Sequence, residues 1–164
     1  MLALKITNLK RFTKQLFLQD VFDGFQFMEG QITTFNTFQI DGFLNREYYS
    51  DVELEEIGSR TYSMWKQMRP LCFQIIKGNK LPLSFKIVLR MKEDNVQKIL
   101  RQKDLEQQFQ VESLLLNIVY KNGIMTCTTG ISLKQFTMDR TLDREWDLLV
   151  RKFFLQNEVE YTES

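Results

Sequence analysis

Two apolar-rich runs, Val111 to Tyr120 and Ile124 to Gly130, are separated by Lys121-Asn122-Gly123. Asn-Gly readily supplies the positive φ values of a tight hairpin turn, so the runs read as two antiparallel strands. Such a hairpin is marginal alone in water and must find further strands or a helix to cover its apolar face. The composition favours strands and large-residue packing. Phe occurs 14 times and Ala once, at Ala3, and aromatic rings suit a pleated, half-buried surface. A length of 164 residues, 43% apolar and 26% charged, fits one ordinary domain with its own core. The expectation is a single domain over residues 1–164.

The rest of the chain alternates between the two periodicities. A short strand from Leu2 to Ile6 precedes a helix capped by Thr7 or Asn8, with Leu9, Phe12, Leu16 and Phe17 at helical spacing. Glu29-Gly30 reads as a turn, and Gln31 to Asp41 as one long strand with Ile32, Phe38 and Ile40 on one face. Asn45 to Gly58 reads as an acidic loop or frayed element, and Tyr62 to Met68 as a strand. A helix is expected from Arg69-Pro70, since Pro is tolerated at the first helical position, to Gly78. A strand from Leu83 to Met91 and a helix from Asp94 to Lys103 follow. After the hairpin, Leu133, Phe136 and Met138 suggest one more strand. Leu142, Trp146, Leu149, Val150 and Phe153 mark one face of a final amphipathic helix, with Trp146 turned to the core. The fold class is α+β: antiparallel hairpins with a C-terminal amphipathic helix packed across them. The order suggests a duplicated βαβββα unit, residues 1–81 and 82–158, and Leu83-Ser84-Phe85-Lys86-Ile87 echoes Leu2-Ala3-Leu4-Lys5-Ile6.

The formal net charge is +1, but charge is segregated along the chain. No Asp or Glu occurs from Ile57 to Lys92, against Arg60, Lys66, Arg69, Lys77, Lys80, Lys86, Arg90 and Lys92. The stretch before it carries Glu47, Asp51, Glu53, Glu55 and Glu56 against Arg46. Segregation creates a local field even where net charge is small. Cations interleaved with aromatic rings are also the footprint of nucleic-acid binding, which makes Arg60, Tyr62, Trp65, Lys66, Arg69, Lys77 and Lys80 candidate contacts. The bland reading is that the rings are core and the cations pair with the acidic loop.

Chemistry is sparse. The chain has no His, which removes the commonest general base and metal ligand and every Ser-His or Cys-His arrangement. No Gly-rich phosphate loop occurs. Asp139, Asp143 and Asp147 would align along one helix edge, where negative charge near an N-terminus complements the dipole more simply than it holds a metal. Cys127 lies in a Thr-rich strand with no neighbouring cation to activate it. Cys72 and Cys127 stand 55 positions apart and are expected to be reduced thiols, so the location is read as cytoplasmic. The first residues do not form a secretory signal, and no window approaches the ~18 apolar residues of a membrane span.

Ile32-Thr33-Thr34-Phe35-Asn36-Thr37-Phe38 with Asp41-Gly42, Arg69-Pro70, Ile76-Lys77-Gly78, Thr126-Cys127-Thr128-Thr129-Gly130 and Trp146-Asp147 carry a resemblance over nearly the whole length. By them the chain resembles a small family of uncharacterised clostridial (Firmicutes) proteins of unknown function. That resemblance implies a Gram-positive anaerobe and carries over no catalytic residue. In element order alone, the duplicated unit is similar to DNA sliding-clamp domains, whose repeat helices turn cations to DNA. The similarity implies that role for Lys10, Arg11 and Lys14, and for Lys98, Arg101 and Lys103. The expected function is a non-enzymatic cytoplasmic interaction or regulatory protein without a cofactor, meeting an unidentified protein partner. The alternative is nucleic-acid binding, and the third reading a metal- or thiol-dependent enzyme.

Overall fold

A computed structural model describes residues 1–163. Eight strands form one antiparallel sheet: β1 (Ala3–Ile6), β2 (Gln26–Thr33), β3 (Thr37–Asp41), β4 (Ser63–Met64), β5 (Ser84–Arg90), β6 (Val111–Lys121), β7 (Ile124–Leu133) and β8 (Tyr161–Glu163). Their spatial order is β3-β2-β5-β6-β7-β1-β8, and β4 pairs with β2 beyond the end of β3. The helices are α1 (Leu9–Thr13), continued by a π-helical turn over Lys14–Leu18, then α2 (Asp51–Ile57), α3 (Trp65–Ile76), α4 (Glu93–Gln102) and α5 (Thr141–Gln156). No helix among the described residues is long and apolar enough to cross a membrane.

The β6–β7 hairpin forms as its turn residues dictate, with Asn122 at φ 54° and Gly123 at φ 74°. Its register puts Leu116, Ile118, Met125 and Cys127 on one face, where they meet Ile87 and Leu89 of β5 and Leu4 of β1 in one buried cluster. The two tryptophans close that cluster from α3 and α5. Trp65 is fully buried and its indole N–H donates to the Leu16 carbonyl at 2.9 Å; Trp146 donates to the Leu115 carbonyl at 3.0 Å. On α5, Leu142, Trp146, Val150 and Phe154 are buried, a four-residue repeat that keeps one stripe inward. The opposite face of the sheet carries a row in register, Gln39, Gln31, Lys86, Val119, Thr126 and Lys5, exposed or half-exposed. One face packed and one face wet is the usual state of an antiparallel sheet.

Several expectations need correction. Gln31 to Asp41 is not one strand but the β2–β3 hairpin, reversing at Thr34–Asn36, where the Thr34 N–H donates to the Asn36 carbonyl at 2.9 Å. Ile32 and Phe38 are cross-strand partners in that hairpin, as are Gly30 and Ile40, so the expected face survives the reversal. Glu29-Gly30 lies inside β2, next to a bulge between Phe27 and Glu29. Tyr62 to Met68 is strand only at Ser63–Met64, after which α3 begins at Trp65. Pro70 therefore lies inside the helix, and burial of Trp65 outweighs that break. The acidic segment contains α2, with Ser50 and Glu53 forming a reciprocal capping box. Phe136 and Met138 extend no strand and lie exposed after β7.

Between Gly42 and Tyr62 the chain leaves the sheet and returns. A Cβ at residue 42 would stand 2.0 Å from the Phe27 carbonyl oxygen, so only glycine lets the strands approach there. The excursion is tied at its base by the Leu44 N–H to the Thr61 carbonyl at 2.8 Å and by a Phe43–Tyr62 bridge. Arg46 donates to the carbonyls of Gly58 at 2.9 Å and Arg60 at 3.3 Å, which closes the loop around α2. None of the seven residues of α2 is buried.

Candidate functional site

The β2–β3 turn, the start of β5 and the β6–β7 turn all fall at one end of the sheet, because Thr33 pairs with Ser84 and Ser84 with Lys121. The loop from α3 to β5 crosses the same end. There Pro82 is buried while Leu81 and Leu83 on either side of it stay exposed.

Two connected clefts result, sharing Ile76 and Leu81. The first, about 430 Å³, runs between Leu9, Lys10, Thr13 and Lys14 on one side and Leu81 and Pro82 on the other, over a floor of Phe85, Tyr120 and Met125. Its floor is aromatic: Phe85 stacks on Tyr120 with centroids 5.4 Å apart and meets Phe17 edge-on at 5.6 Å. The second, about 510 Å³, continues past Ile75 and Ile76 to Phe35 and Leu83, with Lys77 and Lys80 on its walls. Phe35, Leu81 and Leu83 are 86%, 81% and 68% exposed. Together they leave an exposed apolar surface at this end of the sheet.

The charge is equally one-sided. Lys10, Lys14, Lys77 and Lys80 line the clefts, and no Asp or Glu does. None of these four lysines has an ion-pair partner among the described residues. The acid-free stretch of the sequence contributes Lys77 and Lys80, and α1 with its π turn contributes Lys10 and Lys14.

The seven residues proposed for nucleic-acid contact do not gather into one surface. Lys77 and Lys80 reach the clefts, and Lys66 is exposed on the first turn of α3. Trp65 is in the core, stacked on Phe27 at 5.7 Å. Arg69 binds Asp23 through Nε at 2.8 Å and Nη2 at 3.1 Å, and these hydrogen bonds push its pKa above the ordinary arginine value. Arg60 is half-buried at the base of the α2 excursion. Tyr62 is half-buried, edge-on to Phe43 at 5.8 Å, with the Arg90 guanidinium 5.1 Å from its ring centre. Of the clamp-like cations, Arg11 binds Glu158 and Glu160, Lys103 binds Glu145 and Arg101 approaches Glu106, while Lys98 is exposed.

The thiol and carboxylate candidates have local partners or burial. Burial pushes the Cys72 thiol up to about 12 and the Cys127 thiol above the ordinary range as well, so the reactive thiolate is disfavoured at both. Asp139 accepts from the Thr141 hydroxyl at 2.7 Å and its N–H at 2.9 Å, and these bonds hold its carboxyl below the ordinary value. Asp143 lies 3.7 Å from Arg140, and Asp147 accepts from the Thr129 hydroxyl at 2.6 Å. Among the described residues no group of three or more Cys, Asp or Glu is placed to hold a metal ion.

Sequence reasoning missed the apolar half of the site. Leu81-Pro82-Leu83 stands between Lys80 and Ser84, and nothing in that stretch of sequence marks its leucines as exposed. Residues 15–162 match the model of DUF5721, described as a family of unknown function. No curated protein and no solved structure matches the chain.

Proposed function

The chain belongs to DUF5721, a family of unknown function, and on that premise we propose that it is a non-enzymatic interaction protein whose clefts receive a polypeptide segment carrying apolar side chains flanked by carboxylates. The observation behind this is the pairing of exposed Phe35, Leu81 and Leu83 with four lysines and no acid. The apolar walls supply burial, at about 25 cal/mol per Å² removed from water, and the lysines select the sign of the flanking charge. The clefts are open along one end of the sheet, which favours an extended or helical segment over a small molecule, since small ligands take enclosed pockets. Buried, free Cys72 and Cys127 suit a reducing compartment, so a cytoplasmic location is part of the proposal. The clostridial source rests on the resemblance of sequence segments alone, and the sliding-clamp analogy and pseudo-repeat on element order alone.

The test uses anilinonaphthalene sulfonate, an apolar anion. Its fluorescence should rise on binding the native protein, and Leu81→Asp, or Lys10→Glu with Lys14→Glu, should weaken binding about tenfold. Equal binding by wild type and variants would contradict the proposal. A single-stranded oligonucleotide in low salt is the second arm. Tight, salt-sensitive binding lost on Lys77→Glu with Lys80→Glu would favour the nucleic-acid reading instead.

A further inference from the structure

We infer that the occupant of the clefts is α2 of a second copy of this chain, in a head-to-tail contact; this rests on the cleft proposal. Helix α2 has the complementary chemistry. Val52 is 68% exposed, and Tyr48, in the short 3-10 turn that precedes the helix, is 84% exposed. Asp51, Glu55 and Glu56 surround them with no ion-pair partner among the described residues. The helix is nonetheless well formed. Ser50 and Glu53 cap it reciprocally at 3.1 and 3.2 Å, and Arg46 ties its far end. A helix without a buried residue gains little from its own domain, and most helical stability in proteins comes from packing an apolar face. An ordered acidic helix that presents Val52 to solvent thus matches a basic, apolar cleft on another part of the molecule.

The topology keeps the two apart within one chain. Phe35 of the clefts lies at the β2–β3 turn, while α2 follows the other end of β3, where Asp41 pairs with Glu29. Five residues of strand, roughly 17 Å, separate those ends. The contact is therefore between copies and heterologous, each copy offering its helix to one neighbour and its cleft to another, which builds a ring or an open chain. Charge opposition across it makes association fall with salt.

Sedimentation velocity from about 10 µM to about 1 mM protein covers the range for one short helix in one cleft. The wild type should sediment faster as concentration rises and return to the monomer value at high salt. Leu81→Asp and Val52→Asp each change an exposed side chain, and each variant alone should stay monomeric. Mixed in equal amounts they should form a 1:1 pair and nothing larger, because one retains only the helix and the other only the cleft. Lys77→Glu with Lys80→Glu should behave as Leu81→Asp does. A wild type that is monomeric throughout, variants that associate as it does, or a mixture that stays monomeric would each overturn the inference. Monomeric wild type whose cleft still binds anilinonaphthalene sulfonate would remove only the second copy as occupant; loss of both results would remove the cleft proposal too.

Discussion

Arg69 holds Asp23 in a two-pronged pair, Nε to Oδ1 at 2.8 Å and Nη2 to Oδ2 at 3.1 Å, pinning α3 to the turn before β2. Both side chains are largely buried, at 19% and 15% exposure. Arg69→Ala should cost about 2–3 kcal/mol in urea denaturation, between the value of a surface pair and that of breaking a buried one. Arg69→Lys should recover only part of this, since an ammonium cannot reproduce the fork. Binding in the cleft should be unchanged in both, and a variant with wild-type stability but no binding would place Arg69 in the site.

Gly42 makes a sharper prediction. An alanine Cβ would meet the Phe27 carbonyl at 2.0 Å and the Met28 carbonyl at 2.9 Å, and backbone atoms cannot move aside as a side chain can. Gly42→Ala should destabilise by about 3 kcal/mol or more, while Gly78→Ala, with open space around it, should stay within about 0.5 kcal/mol. Thermal denaturation of the pair separates the two outcomes.

Arg90 is buried in the sheet, and each of its guanidinium nitrogens donates: Nε to Ser113 Oγ at 2.8 Å, Nη1 to Gln26 Oε1 at 2.8 Å and Glu93 Oε1 at 2.6 Å, and Nη2 to the Glu112 carbonyl at 3.0 Å. Burial pushes the Glu93 carboxyl up, but the hydrogen bonds from Arg90, its own backbone N–H and Gln26, with the Arg90 charge, together leave it below the ordinary 4.5. A carboxyl lowered in the folded state contributes stability that is present above its unfolded pKa and lost as pH falls through the folded one. Stability should therefore drop below about pH 4.5, and Glu93→Gln should flatten that part of the profile. An unchanged acid limb in Glu93→Gln would show that other carboxylates set it.

Cys72 and Cys127 are both buried, and burial raises both thiols. A disulfide reagent at pH 8 should label the native protein at least about 100-fold more slowly than the urea-unfolded chain. Rapid labelling of Cys127 would return the thiol-enzyme reading to consideration.

The sequence made the β6–β7 hairpin, β5 and α5 legible because each combines a clean periodicity with a local stop or turn signal. The β2–β3 hairpin escaped because Thr34-Phe35-Asn36 contains neither Gly nor Pro, and the two-residue alternation runs straight through it. Pro70 pointed to a helix start, whereas the helix begins five residues earlier, at buried Trp65. Ser50 and Glu53 did spell a capping box, but an acidic segment without an apolar stripe reads as loop. In the site, Lys77 and Lys80 were visible as part of an acid-free stretch. A Trp that stacks on a ligand and one that fills a core look alike in one dimension, so Trp65 could not be told apart. Nor does a sequence mark which leucines stay in water. Leu81 and Leu83 became informative only once β2, β5 and the α3–β5 loop met at one end of the sheet.

An acidic apolar segment should bind in the clefts at the Lys10–Lys14 and Lys77–Leu81 end of the sheet. A two-dimensional ¹H–¹⁵N titration of the labelled protein with a synthetic peptide alternating leucine and glutamate measures this residue by residue. Shift changes should concentrate at Lys10, Lys14, Lys77, Lys80 and Leu81, shrink with added salt, and be absent with a peptide in which lysine replaces glutamate. Shifts on the open sheet face at Lys86, Thr126 and Lys5, or equal binding of the lysine peptide, would contradict it.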